Sequence, residues 1–265
     1  MVVVDGHAHV SPVWWEPVEL LLFQMDRNGV DQAVLTQFMG QTDNDYQFDC
    51  QRRYPGRFAN VVIVDAGRDD APDTLRRLAE RGAGGVRLRP FARSPGSDPY
   101  AIWRTAGELD LTVSCSGHSA ADFCDADFAR LIQALPGVRF VIEHLGAMNH
   151  PDVDEAARAL RQQAITLARF PNVFMKVPGL GEIAKRAMPP RKDYPFEEPI
   201  PPDLDLAYEA FGPERLMWGS DHPNTSHREG YANALTLCRE RFSGMPKSHV
   251  DLIFGGVAAK LFPVR

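Results

Sequence analysis

Short runs of apolar, often β-branched residues alternate along the whole chain with longer stretches in which apolar residues recur every three or four positions. The first pattern predicts buried strands and the second amphipathic helices. Strands are expected at Val2–Asp5, Gln32–Thr36, Asn60–Val64, Gly84–Leu88, Leu111–Cys115, Arg139–Glu143, Val173–Lys176 and Leu216–Gly219. Helices are expected at Pro17–Arg27, Asp43–Arg53, Ala71–Arg81, Pro99–Leu109, Ala120–Leu135, Val153–Phe170, Leu204–Phe211 and Arg228–Phe242. Near-continuously apolar strands separated by helices argue for a parallel sheet, because a parallel crossover needs an intervening helix. Eight such repeats fit a single-domain (β/α)8 TIM barrel of the α/β class. An open doubly wound sheet fits less well, since its Gly-rich phosphate turn after the first strand is replaced by Asp5-Gly6-His7-Ala8-His9. The longest connection runs from Pro178 to Pro202 and contains Pro189, Pro190, Pro195, Pro199 and Pro201. It follows strand seven on the mouth side, where it either folds over the site as a lid or packs on a neighbouring subunit.

Composition narrows the class. With 265 residues, 44% hydrophobic and 24% charged, and a formal charge of -6, the chain reads as an ordinary globular protein. No Lys/Arg run builds a basic stripe, so nucleic acid is not an expected partner. No stretch approaches the roughly 20 apolar residues of a membrane span, and the N-terminus lacks a basic region followed by a long apolar core. A cytoplasmic protein is expected, and a symmetric homo-oligomer is allowed. Cys50, Cys115, Cys124 and Cys238 are scattered without CxxC spacing and read as buried thiols.

The active site of such a barrel lies at the C-terminal ends of its strands. Those ends are polar here: His7 and His9 on strand one, Arg87 and Arg89 on strand four, His144 on strand six, Lys176 on strand seven and Asp221 on strand eight. Strict alternation puts Asp5, His7 and His9 on one face, where two imidazoles can grip one divalent metal or position one water. Arg87 and Arg89 also share a face, and two inward guanidiniums need anions. A substrate carboxylate is their natural partner, with Asp65 or Glu143 as the internal alternative. Lys176 can steady a carboxylate or carbonyl oxygen, or pair internally. Trp14 and Trp15 can wall the mouth and stack on a planar substrate, and at least one of them is expected to be ordinary loop packing. His222 is expected to face away from Asp221, and His150, His227 and His249 read as surface or helix residues.

Five ordered segments carry a resemblance: Asp5-Gly6-His7-Ala8-His9, Gly85-Val86-Arg87-Leu88, Glu143-His144-Leu145-Gly146, Asn172-Val173-Phe174-Met175-Lys176 and Met217-Trp218-Gly219-Ser220-Asp221-His222-Pro223. Together they resemble the strand-end motifs of the amidohydrolase-related family, the branch of the amidohydrolase superfamily that holds pyrone-dicarboxylate and sugar lactonases and metal-dependent decarboxylases. The tail Ile253–Phe262 is similar to the family's closing helix, with Val257 where relatives commonly have Asn. The resemblance implies that His7 and His9 surround a metal or water, that Asp221 orients and deprotonates the attacking water, and that His144 touches substrate or completes the polar shell. Metal-dependent members usually add a histidine at the end of strand five; here the nearest, His118, falls about two residues further on. If His118 folds back, His7, His9, His118 and Asp221 make a site for one zinc or manganese ion. Otherwise the site resembles the metal-independent lactonases, with a water held by histidines and Asp. No inward lysine ends strands four or five to bridge two metals, so a binuclear centre is not expected.

The first functional expectation is a hydrolase that opens a small carboxylated lactone or similar cyclic ester. A metal-dependent, non-oxidative decarboxylase of an aromatic or unsaturated acid is the alternative, and it requires His118 as a ligand. Amide or imide hydrolysis on the same site is a third chemistry. A silent barrel used for binding or assembly belongs to another class, and it gives no reason to retain so many ionisable strand ends.

Overall fold

Eight parallel strands form one sheet in sequence order: β1 Val4–Ala8, β2 Gln32–Thr36, β3 Phe58–Val62, β4 Ala83–Leu88, β5 Thr112–Cys115, β6 Phe140–Ile142, β7 Val173–Val177 and β8 Leu216–Trp218. This computed structural model describes residues 2–146, 154–189, 191 and 194–264. His150, the expected helix start at Val153, and Pro190 of the long connection lie outside the described residues. The sheet closes on itself. Ala8 bridges in parallel to His222, the His9 N–H donates to the His222 carbonyl at 2.7 Å, and the Asp221 N–H donates to the His7 carbonyl at 2.9 Å. The result is the expected (β/α)8 TIM barrel.

Helices follow the strands in the expected order, with shifted ends where local chemistry decides. The stretch expected as one helix over 120–135 is divided into Ala121–Cys124 and Ala126–Ala134, because Asp125 is extended and its carboxylate caps the Asp127 N–H. The final barrel helix begins at Tyr231 rather than Arg228, since Asn224–His227 forms a 3-10 turn and Gly230 turns the chain at φ 81°. Among the described residues no helix is long and apolar enough to cross a membrane.

One irregularity decides where the site residues point. Val4 pairs with Gln32 and Asp5 with Ala33, but Ala8 pairs with Leu35, so β1 spends one residue more than β2 between those pairs. Such a bulge breaks the alternation of faces. Val4 therefore packs in the barrel interior and His7 also faces inward, while Asp5 turns to accept hydrogen bonds from the Ser220 and Tyr231 hydroxyls at 2.6 and 2.9 Å. The expectation that Asp5 shares a face with His7 and His9 is corrected by this bulge. Gly6 allows it, since a Cβ there would lie 2.7 Å from the Trp218 carbonyl oxygen.

The N-terminal end of the barrel is filled by apolar side chains. Val4, Val34, Ala59, Val61, Val141 and Met217 pack against Val257, Ala258, Leu261 and Phe262 of the closing segment. That segment runs as a helix over Lys247–Asp251, a π turn over Leu252–Gly256 and a helix over Val257–Leu261. It is pinned where the Thr112 hydroxyl donates to the Leu261 carbonyl at 2.9 Å. A second apolar layer lies between the sheet and the helices, with Leu21, Leu75, Trp103, Phe128 and Trp218 fully buried.

The described part of the long connection folds down on the barrel. Leu180, Ile183, Ala184, Ala187 and Phe196 are buried, and Arg186 bridges antiparallel to Phe196.

Gly255 is where the closing segment meets the first strand, and a Cβ there would lie 1.9 Å from the Val2 carbonyl oxygen. Gly255→Ala is expected to destabilise the fold by about 1–3 kcal/mol in urea unfolding, the usual cost of overpacking. The neighbouring exposed Gly256→Ala meets only the flexible Leu252 side chain at close range and should cost less. Equal effects at the two glycines would show that the contact with Val2 is not the constraint.

Candidate active site

His7 and His9 face each other across 3.1 Å between their Nε2 atoms, both buried. The partners on their other nitrogens set the tautomers. His9 Nδ1 donates to the Thr36 carbonyl at 2.5 Å, which leaves its Nε2 as an acceptor. His7 Nδ1 lies 2.8 Å from the Lys176 ammonium and accepts from it, so the His7 proton sits on Nε2 and points at His9. Burial lowers the pKa of both rings, His7 further because Lys176 and His144 add positive charge beside it. Both are neutral at ordinary pH.

Asp221 completes this group, its Oδ1 lying 3.5 Å from His9 Nε2 and 3.9 Å from His7 Nε2. Its Oδ2 is held by Arg228 Nη1 at 3.1 Å, and Asn224 donates to Oδ1 at 3.2 Å. Burial opposes ionisation of Asp221, but His144, His9 and Arg228 outweigh it and hold the carboxyl below the usual range. His144 packs edge-on against His7 at 4.6 Å between ring centroids, and its Nδ1 is 3.0 Å from Glu182. Burial alone would lower the His144 pKa; Glu182 and Asp221 outweigh it and raise it, which favours the cation. His144 and Asp221 both adopt left-handed backbone, at φ 50° and 58°. Side chains other than glycine rarely accept that conformation, and here it aims both groups into the mouth.

Beneath them lies a chain of buried charges. Arg87 forms a bidentate pair with Glu143 at 2.7 and 3.0 Å and donates to the Gln37 carbonyl at 2.9 Å. Glu143 also accepts from the Ser114 hydroxyl at 2.6 Å, and Ser114 accepts from Lys176 at 3.0 Å. Burial would raise the Glu143 pKa, but Arg87 and Lys176 reverse this and hold it well below the carboxylate range. Lys176 is pushed down to about 8, chiefly by burial, with Glu143 pulling the other way. Of the two anions considered for Arg87, the structure supplies the internal one, and Lys176 takes internal polar partners likewise.

Arg89 differs. It is half-buried, donates to the Ser116 carbonyl at 3.1 Å, and has no carboxylate within ion-pair range among the described residues. A cavity of about 490 Å³ opens beside it, lined by Met39, Thr42, Asp65, Arg87, Arg89 and Arg93. His7, His9 and Asp221 do not line this cavity; Arg87 joins it to the central charges.

Trp15 stacks between His9 and Phe38, with ring centroids 4.7 and 5.0 Å away, so it does wall the mouth. Trp14 is 69% exposed and does not. His118 is exposed and stacked on Phe91 at 5.8 Å, and it joins none of the donor groups near Asp221. The four-ligand set that included it is not assembled, because its loop carries the ring to the surface. Cys124 is partly exposed, whereas Cys50, Cys115 and Cys238 are buried as expected. His222 is buried with Nε2 3.3 Å from Glu16. His227 is exposed, and His249 bonds the Tyr208 hydroxyl.

His7, His9 and Asp221 can hold a metal ion. Their three donor atoms form a triangle with edges of 3.1, 3.5 and 3.9 Å. Neighbouring ligands of a tetrahedral zinc at about 2.0–2.1 Å lie about 3.3 Å apart, so the donor set fits. The His9 Nδ1 bond to a backbone carbonyl is the support that metal-binding histidines ordinarily have. Ligation through His7 Nε2 requires its proton to move to Nδ1, facing a lysine amine already brought down to about 8.

Sequence reasoning missed Glu182 and Arg228. Both come from connections rather than strand ends, and their only local signals are the glycines of Gly179-Leu180-Gly181-Glu182 and Arg228-Glu229-Gly230.

The sequence profile of the amidohydrolase family matches residues 4–264. The L-fucono-1,5-lactonase of Burkholderia ambifaria is 27% identical, the alignment covering 98% of this chain and 95% of that protein. The 4-sulfomuconolactone hydrolase of Rhizobium radiobacter is 26% identical over 80% of this chain and 67% of its own length. A crystal structure of an amidohydrolase from Burkholderia multivorans with bound zinc superposes at a TM-score of 0.74, with 18% identity and coverage of 98% and 99%.

The Arg87–Glu143 pair yields a stability prediction. Arg87→Met leaves Glu143 buried without its main partner and is expected to cost about 3–5 kcal/mol, much of it recovered in the double variant with Glu143→Gln. Because the folded-state pKa of Glu143 lies below its unfolded value, its contribution is present above about pH 5 and is lost as pH falls through the acid range. Denaturation midpoints between about pH 6 and pH 3 should therefore fall more steeply for the wild type than for the double variant.

Proposed function

The chain belongs to the amidohydrolase family and is a hydrolase, and from that premise we propose that it opens a small carboxylated lactone or similar cyclic ester with a water activated by Asp221 between His7 and His9. The observation that carries this reading is the division of the Asp221 carboxylate. Oδ2 is clamped by Arg228, while Oδ1 faces the two neutral imidazoles. In the reaction, Oδ1 accepts a proton from water as the oxygen attacks the lactone carbonyl carbon, and the carbonyl π electrons move onto its oxygen. When that oxyanion collapses, the ring C–O bond breaks, and the departing alkoxide takes the proton back from Asp221 to leave a hydroxy acid. The cationic form of His144 balances the oxyanion. A zinc or manganese ion, where bound by His7, His9 and Asp221, would supply a water whose pKa is lowered from about 15.7 toward about 7.

Arg89 is assigned the substrate carboxylate, since it lines the cavity and lacks an internal acid partner among the described residues, and Arg guanidiniums grip carboxylates through two parallel bonds. The names of the curated relatives support a lactone as the substrate. The decarboxylase reading asked for His118 as a ligand; that ring is exposed, so decarboxylation would have to rely on a metal held by His7, His9 and Asp221. Amide or imide hydrolysis uses the same water and differs only in the leaving group.

The test is a panel of lactones, cyclic esters and cyclic imides, with and without a carboxylate, assayed with wild type and two variants. Asp221→Asn is expected to lose about 10²–10⁴-fold in kcat with its circular dichroism unchanged. Full activity in that variant would remove Asp221 from the mechanism. Arg89→Met is expected to raise KM for carboxylated substrates about 10- to 100-fold, the worth of a charged hydrogen bond, with little change for uncharged ones. An equal rise for both substrate types would assign the carboxylate elsewhere.

A further inference from the structure

Three carboxylates surround Arg228. Its Nη1 lies 3.1 Å from Asp221 Oδ2, its Nη2 3.1 Å from Glu182 Oε1, and its Nε 3.6 Å from Glu229 Oε2. The same Asp221 and Glu182, with His144, form a buried group whose donor atoms lie within 4.8 Å of one another, a spacing that suits a metal ion. This group is separate from the one made by His7, His9 and Asp221, and the two share only Asp221. Each would suit one ion, and a third group, His7, Glu143 and His144, contains the carboxylate that Arg87 already pairs. The Arg228 guanidinium already lies between the anions of the group made by His144, Glu182 and Asp221.

We propose that Arg228 is the built-in second cation of this centre, standing where a divalent ion would otherwise bind among His144, Glu182 and Asp221 and so limiting the centre to one metal position. Its anchoring supports a permanent role. Arg228 is 15% exposed in its side chain, and its carbonyl accepts from Arg186 at 2.8 Å, which ties it to the connection that carries Glu182. The fit behind it is close: a Cβ on Gly181 would lie 3.0 Å from the Arg228 Cβ. A fixed guanidinium neutralises one charge and aims Asp221, whereas an exchangeable ion there would bind Oδ2 and compete for the carboxylate that the water needs. That last consequence rests on the hydrolytic reading; the occupancy of the position does not.

Metal counting therefore tests it without a substrate. Wild type, Arg228→Met, Arg228→Lys and the double variant Arg228→Met with Glu182→Gln are dialysed to equilibrium against zinc and against manganese, and bound metal per chain is measured by mass spectrometry. Arg228→Met is expected to bind one equivalent more than wild type, whether wild type binds one or none. Arg228→Lys keeps the charge and should match wild type, and the double variant loses a ligand and should lose the added equivalent. An unchanged count in folded Arg228→Met, or an added equivalent that survives Glu182→Gln, overturns the proposal. Should Arg228→Met lack a cooperative thermal transition without metal, added zinc is expected to restore it, because an ion bound only by the folded state stabilises that state. Failure of zinc to do so also overturns it. A wild type with no bound metal would count against a metal at His7 and His9 while leaving the Arg228 assignment standing.

Discussion

A carboxylate buried at the centre of the barrel has to be matched by cations, and Glu143 organises the site through that requirement. Unpaired, a buried charge costs several kcal/mol. Glu143 is matched by Arg87 from β4 in a bidentate pair and, through Ser114 of β5, by Lys176 of β7. Three strands are thereby tied to the end of β6, and the tie fixes the Lys176 amine 2.8 Å from His7. The tautomer of His7 follows from that contact, and the face it offers to His9 follows from the tautomer. Charge balance in the interior thus reaches the reactive atoms through named hydrogen bonds.

This polar layer is tenable because of what lies on either side of it. Toward the N-terminal end the barrel is filled by Val257, Ala258, Leu261 and Phe262, which pack as a close apolar floor beneath the buried charges. Phe262 stands under Lys176, its ring centroid 5.8 Å from the ammonium, so even the floor offers a favourable contact to the cation above it. Toward the C-terminal end stand the groups with chemistry to perform: the two imidazoles, His144 and Asp221. The side chains grade from apolar to paired to reactive along the barrel axis. Arg87 belongs to the paired layer, whereas Arg89, two residues further out, has no carboxylate within ion-pair range among the described residues.

How far such an arrangement can be read from sequence depends on which physical signal carries each part. The eight strands and their order were legible because buried parallel strands are continuous apolar runs, and the polar residues at their ends stood out against that background. His7, His9, His144, Lys176 and Asp221 are all brought together as those ends suggested. The bulge in β1 was not legible, since one extra residue leaves the hydrophobic pattern almost unchanged and only Gly6 hints at it. The partner of Arg87 could be named as a candidate but not chosen, because choosing needs the distance between two strands. The surface position of His118 depends on the path of a loop, and Glu182 and Arg228 meet only because two long connections cross above the barrel. Periodicity says nothing about either.

Asp221 presents an apparent conflict that the surrounding charges resolve. A carboxylate held below its usual pKa by His144, His9 and Arg228 is a poor base, and a poor base removes a proton from water reluctantly. The same cations that weaken it also act on the product of the attack. In the proposed attack, negative charge would leave the carboxylate's neighbourhood and appear on the carbonyl oxygen, where a cationic His144 would meet it. What is lost in base strength at the start is returned as stabilisation of the oxyanion, provided that the positive charges do not have to move. Arg228 is fixed by Glu182, and His144 is fixed by Glu182 and by its left-handed backbone. One buried carboxylate therefore holds both cations in place, which makes Glu182 a positioning residue for the proposed hydrolysis.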